Sequence, residues 1–131
     1  MGQGPNYLLS KGYVVEAAAT NVQFGRAAVF GATNTSVLGA GAVAQVLGIF
    51  QETLDQAKIT TGKATIGVCI LGIHRVVAGA AVSRGAKVTT DSAGRAVPGG
   101  AAGTASFGIA QSPASALGDM IDVLLTPGNT M

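Results

Sequence analysis

Few residues in this chain are of a type that does chemistry, and they do not converge. His74 is the only histidine and Cys69 the only cysteine. His74 stands in Gly72-Ile73-His74-Arg75-Val76, with no serine, cysteine or carboxylate spaced to complete a nucleophile, base and orienting group. It therefore reads as a structural or surface histidine. One histidine and one cysteine fall short of the ligand count of a zinc site. Two carboxylate pairs, Glu52 with Asp55 and Asp119 with Asp122, are close enough in sequence to suggest an acid and a base. Each pair sits beside a turn, and solvated loop charges account for both. Gly99-Gly100-Ala101-Ala102-Gly103 is glycine-rich but lacks the lysine followed by serine or threonine of a phosphate-binding loop. It reads as a flexible turn. No catalytic, cofactor-binding or metal-binding residue is assigned, and no cofactor is expected.

The charges exclude other classes of partner. Eight cations face six anions, for a net charge of +2. Lys11, Arg26, Lys58, Lys63, Arg75, Arg84, Lys87 and Arg95 are dispersed, with no two adjacent. No basic stripe interleaved with aromatics is present to follow phosphates and stack bases, so nucleic-acid binding is not expected. The longest apolar run, Ala64 to Ile73, is broken by Thr65, Gly67 and Gly72. That is well short of the ~20 residues a membrane-spanning helix requires, so no membrane partner is expected. Met1-Gly2-Gln3-Gly4-Pro5-Asn6 has neither the basic stretch and apolar segment of a signal peptide nor the serine or threonine of a myristoylation signal. A soluble protein made and used in a reducing compartment is the expectation, since Cys69 has no partner for an intrachain disulfide.

The elements that would hold these residues are mostly strands. At 131 residues the chain suits one domain. Charged residues are 11% of it, against about 25% in an ordinary domain. Hydrophobic residues are 48% but aromatics only 5%, and there are 20 glycines. Alanine and valine bury little area each, so the core is thin, and the under-charged surface calls for neighbours. Val14 to Ala17, Arg26 to Phe30, Gln45 to Gln51, Lys63 to Val77, Phe107 to Ala110 and Met120 to Leu125 read as strands. In the longest, Ala64, Ile66, Val68 and Ile70 face one way and Thr65, Gly67 and Cys69 the other, which predicts one buried face. Ala86 to Thr90 and Arg95 to Val97 flank Asp91-Ser92-Ala93-Gly94, a hairpin signal in which Gly94 accepts positive φ. Helical turns compete only at Ala40 to Leu47 and Ser112 to Leu117, and no more than one or two short ones are expected because glycine costs about 1 kcal/mol in a helix interior.

A repeat runs through this pattern. Gly25-Arg26-Ala27-Ala28-Val29, then Leu47-Gly48-Ile49-Phe50-Gln51, then Gly62, Ile66 and Val68 form one series. Arg84-Gly85-Ala86-Lys87-Val88, then Phe107-Gly108-Ile109-Ala110-Gln111, then Gly118, Ile121 and Val123 form the other. Gly48 and Gly108 are then equivalent points where a strand bends or a second backbone comes close. The expected fold is mainly β: a small β-barrel or β-sandwich of two similar β units. Residues 1–12 are expected to be an extended N-terminal arm, and 13–131 a single β domain. Tyr7, Leu8 and Leu9 are the arm's apolar anchors and the candidate interface.

The order of motifs in the second half carries a resemblance. Val82-Ser83-Arg84-Gly85-Ala86-Lys87-Val88 leads through the Asp91 to Gly94 turn to Arg95-Ala96-Val97. Gly103-Thr104-Ala105-Ser106-Phe107-Gly108-Ile109-Ala110 and Ala116-Leu117-Gly118-Asp119-Met120-Ile121-Asp122-Val123-Leu124-Leu125 follow. This succession resembles the capsid decoration, or cement, proteins of tailed bacteriophages. The resemblance implies a β-rich homotrimer on the outside of the virion capsid, made in the host cytoplasm, bridging subunits of the major capsid protein. It brings no enzymatic residue, and no enzyme activity is expected. A tail-tube or head-completion subunit is the alternative among virion proteins, and a small β-barrel ligand-binding protein the alternative outside them.

Overall fold

A computed structural model describes residues 6–131. The fold is mainly β, one sheet of nine strands with almost no helix. In chain order the elements are β1 (Asn6–Val15), β2 (Ala27–Phe30), β3 (Ser36–Gly39), β4 (Gly48–Phe50), α1 (Gln56–Ile59), β5 (Thr65–Val77), β6 (Lys87–Thr90), β7 (Ala96–Pro98), β8 (Ala105–Ala110) and β9 (Met120–Thr130). They pair in the order β1-β3-β2-β4-β5-β9-β8-β6-β7, and β1 also pairs with β5.

The mainly β fold of two similar units is as expected, and the topology gives its form. In the first half, β1 lies antiparallel to β5 and parallel to β3, so the path β1-β3-β2-β4-β5 returns to its start. Tyr13, Val15, Ala28, Val37, Leu47, Phe50, Ile66 and Val68 pack together in the core it surrounds. In the second half the sheet runs β5-β9-β8-β6-β7, and only the parallel bridge Ala78↔Ala96 brings β7 back toward the end of β5. Val76, Val82, Val88, Phe107, Ile121, Val123 and Leu125 lie in this second core. The result is one continuous sheet that curls twice, not a clean barrel.

The two halves repeat pair by pair. Ala28↔Gly48 and Ala27↔Ile49 in the first correspond to Val88↔Gly108 and Lys87↔Ile109 in the second. Phe50 N–H donates to Arg26 O at 2.9 Å, and Ala110 N–H to Ala86 O at 2.9 Å. Gly25 and Gly85, at corresponding places, have φ of 82° and 87°. β5 belongs to both units, closing the first with residues 65–69 and opening the second with residues 73–77. Its single buried face, expected from the alternation, is corrected. Ile66 and Val68 enter the first core, while Cys69 and Val76 enter the second. The phase shifts at Ile70, which the pairing with β1 skips between Cys69 and Leu71, close to Gly72 with its φ of 111°.

Several boundaries differ from expectation for local reasons. β3 is four residues ending at Gly39, too short to carry a periodic signal. β9 continues through Pro127-Gly128, which form a bulge: Leu125 and Asn129 pair with Gly108 and Ser106, with a register shift between. Among the described residues the single helix is Gln56–Ile59, after Asp55, and not at the alanine-rich segments. Residues 41–44 instead meet the end of β6, where Val43 N–H donates to Thr90 O at 2.9 Å and Ala44 N–H to Thr90 Oγ1 at 3.0 Å. The boundary expected between arm and domain at residue 12 falls inside β1, which is paired with β5 from Asn6 onward. Met1 to Pro5 of that arm lie outside the described residues.

Gly48 and Gly108 are where the repeat leaves no room. A Cβ at Gly48 would overlap the Cys69 carbonyl oxygen, and one at Gly108 would overlap Val123 Cγ1 and lie 2.6 Å from the Leu124 carbonyl. Backbone atoms of a central strand do not give way cheaply. Gly48→Ala and Gly108→Ala should each cost about 1–3 kcal/mol in denaturant unfolding. Gly41→Ala, where nothing lies within 4 Å, should be close to neutral.

Candidate interaction surface

The groups that could have built an active site are kept apart by the fold. His74 is fully buried on β5, its ring centroid 5.3 Å from that of Phe24. Its Nδ1–H donates to the Arg75 carbonyl at 2.7 Å. Burial pushes its pKa below the ordinary 6.5, against smaller raising effects from that carbonyl and from Asp122. Cys69 is buried, its thiol 3.3 Å from the Leu71 carbonyl, and burial raises its pKa. A thiol held protonated in an apolar layer is a poor nucleophile. Glu52 and Asp55 are exposed on the connection after β4. Asp119 accepts from the N–H groups of Ser115 and Ala116 and from the Ser115 hydroxyl, while Asp122 stands 3.8 Å from Arg75. Gly99 to Gly103 form an exposed turn between β7 and β8. Among the described residues no group of three histidine, cysteine or acidic side chains is placed to hold a metal ion.

Two other carboxylates, Asp91 and Glu16, brace turns. Asp91 Oδ1 accepts the N–H groups of Ala93 and Arg95 at 2.9 Å each, and its Oδ2 meets Arg95 Nε at 2.8 Å. Burial raises the Asp91 pKa, but these donors and the Arg95 charge outweigh it and leave it lowered. Gly94, at φ 75°, closes this turn, and its carbonyl accepts Ala27 N–H at 2.8 Å. The hairpin of the second unit is thereby fastened to β2 of the first. Glu16 does comparable work at the β2–β3 turn, accepting from Ala32 N–H and, at 2.8 Å, from the Ser36 hydroxyl. Those two donors lower its pKa.

What the surface does offer is apolar. Leu9 lies opposite Leu71 across the β1–β5 pairing. Leu124 lies between Ile73 on β5 and Ile109 on β8. Directly opposed residues project from the same face of a sheet, so Ile73, Leu124 and Ile109 form a row across three strands. Leu9, Leu71 and Leu124 are all exposed, with Met120 further along β9. Leu8, the adjacent residue on β1, is the most open of the large apolar side chains among the described residues, at 76%. Phe30 and Leu117 stand exposed elsewhere, on the end of β2 and on the β8–β9 connection. Contiguous exposed leucines of this kind mark surfaces that meet other proteins.

Of the expected interface residues, Leu8 and Leu9 are exposed, and the side chain of Tyr7 lies outside the described residues. Sequence reasoning missed Leu71, Ile73, Ile109 and Leu124. They stood within runs assigned to buried strands, and only cross-strand register shows that they share an outer face. Gly48, Gly94 and Gly108 lie in the interior of the assembly of strands, at two close approaches and one turn.

No protein-family model and no curated protein sequence matches the chain. Among solved structures, the fold is similar to the head fiber gp8.5 N base of bacteriophage phi29. The TM-score is 0.68 at 18% sequence identity, over 90% of this chain and 93% of that one. At that identity the likeness is one of fold, and it spans both units.

The buried imidazole makes stability depend on pH in a defined window. His74 stays neutral in the folded protein at a pH where the unfolded chain takes up a proton, so stability is full above 6.5 and falls as pH drops below it. The lowered carboxylates Glu16, Asp91 and Asp119 begin from 4.5, 3.8 and 3.8 and act only below those values. Thermal unfolding should therefore show a falling midpoint between pH 6.5 and 4.5. His74→Phe should flatten that slope while leaving the decline at lower pH.

Proposed function

We propose that this protein is a structural component of a bacteriophage virion, held on the outside of the head by protein–protein contacts. The observation that carries the reading is the fold, shared across nearly the whole of both chains with the N base of a phage head fiber. Two features of the chain support it. The chemically capable residues are dispersed or buried, and the open apolar side chains are concentrated on the sheet spanning β1, β5, β9 and β8. In this reading the chain bridges subunits of the major capsid protein as a homotrimer, and it works without catalysis. It is made in the host cytoplasm and acts by attachment alone.

A second reading within the same class is favoured by the same likeness. A protein with the fold of a fiber base would anchor a projecting structure, with shell stabilisation secondary. Both readings predict attachment to the head, and they differ in what stands on the attached domain.

Electron microscopy of particles with and without this protein distinguishes these cases. Difference density on the outer shell is expected, compact for a decoration protein and extended by a fiber for a base. Density confined to the tail, or none, would remove the proposal. Particles should also bind the His74→Ala, Cys69→Ala, Glu52→Ala and Asp55→Ala variants at parental occupancy once each is shown to be folded. A hydrolytic or transfer activity lost with any one of the four would overturn the non-catalytic reading.

A further inference from the structure

β1 is the least covered strand in the sheet. Among the described residues, β5 pairs along one edge of it, while β3 meets the other edge only at Val14 and Val15. Residues 6–13 of that outer edge receive no other backbone hydrogen bond among the described residues. Leu8, Leu9, Ser10, Lys11 and Gly12 are all exposed, so both faces of this stretch, as well as its edge, are open. An open edge beside exposed leucines is a template for pairing with another chain.

The repeat identifies what kind of surface covers this position. Ser10↔Cys69, Lys11↔Val68 and Tyr13↔Ile66 correspond to Ile73↔Leu124, His74↔Val123 and Val76↔Ile121. Residues 73–77 of β5 thus occupy in the second unit the place that residues 10–14 of β1 occupy in the first. In the second unit the place is covered, and by this chain's own first unit. Asn6 pairs with Ile73, Val77 N–H donates to Gly25 O at 2.9 Å, and the Phe24 ring packs on His74. His74 is buried there, whereas its counterpart Lys11 is exposed.

We infer that the outer edge of β1, with Leu8 and Leu9, is an interface taken by a second copy of this chain. The inference deepens the self-association proposed above by naming its surface. Pairing with a second copy satisfies the open backbone groups and removes the two leucines from water. Lys11 is the one charge in residues 6–13 of this edge, so the contact should be only weakly sensitive to salt.

Analytical ultracentrifugation of the wild type and of the combined Leu8→Asp, Leu9→Asp variant tests it, with circular dichroism and thermal unfolding as the check on folding. Both side chains are exposed, so the fold should survive. The dissociation constant of the oligomer should rise about a hundredfold or more. In the wild type, hydrogen exchange at residues 8–12 should be slow in the oligomer and quicken on dilution. An oligomer unaffected by the double change, with exchange at 8–12 independent of concentration, would place self-association elsewhere and overturn the inference. A wild type monomeric at every concentration would also overturn it, yet would leave the virion role standing if that monomer still decorated particles. An oligomer that depends on β1 but binds no particle would support the inference and sink the virion role.

Discussion

The three short strands β2, β4 and the start of β5 form a layer packed on both faces, and the rest of the fold hangs from it. Ala27, Ile49 and Cys69 lie opposite one another and turn into the second core. Their neighbours Ala28, Phe50 and Val68 turn into the first. Successive residues therefore enter different cores, and no polar residue can alternate with them. The layer must also be thin. Gly48 lies against the Cys69 carbonyl because any side chain there would push β4 off β5, and with it one core away from the other. Alanine, valine and glycine dominate the composition for this reason, and a low content of charge follows, since strands buried on both faces have no wet side to carry it.

The second unit uses the same plan with its sheet less tightly closed. β7 returns to β5 through one bridge, and the hairpin turn at Asp91 to Arg95 is braced by its own carboxylate and fastened to Ala27 through Gly94. The units are joined at several places, among them the shared strand β5, the Gly94 turn on β2, residues 41–44 on Thr90, and Phe24 and Gly25 on β5. Relative movement of the units would have to break all of these.

Duplication also leaves an asymmetry at the ends. The opening strand of the second unit is covered by the first unit, while among the described residues the opening strand of the first is paired along one edge by β5 and on the other only at Val14 and Val15. The exposed leucines gather around that unmatched end and along the outer row of β5, β9 and β8. An apolar surface of this extent gains from burial at roughly 25 cal/mol per Å², and a monomer leaves that gain unused.

The amino-acid order alone determined the β character, the Asp91 to Gly94 hairpin, and the two matching series around Gly48 and Gly108. Each of these depends on local grammar: turn residues at fixed offsets and β-branched runs. The tertiary structure decided the rest. That β5 buries opposite faces in its two halves follows from a shift at Ile70, which a period of two does not announce. That Pro127-Gly128 is a bulge inside β9 depends on β8 being there to pair on either side of it. Whether Leu71, Ile73 and Leu124 are inside or outside is a question of register across three strands far apart in the chain, because an apolar run has the same composition whichever face it buries. The edge of β1 is open for the same kind of reason: pairing is a relation between strands, and only the assembled sheet shows which partner is missing.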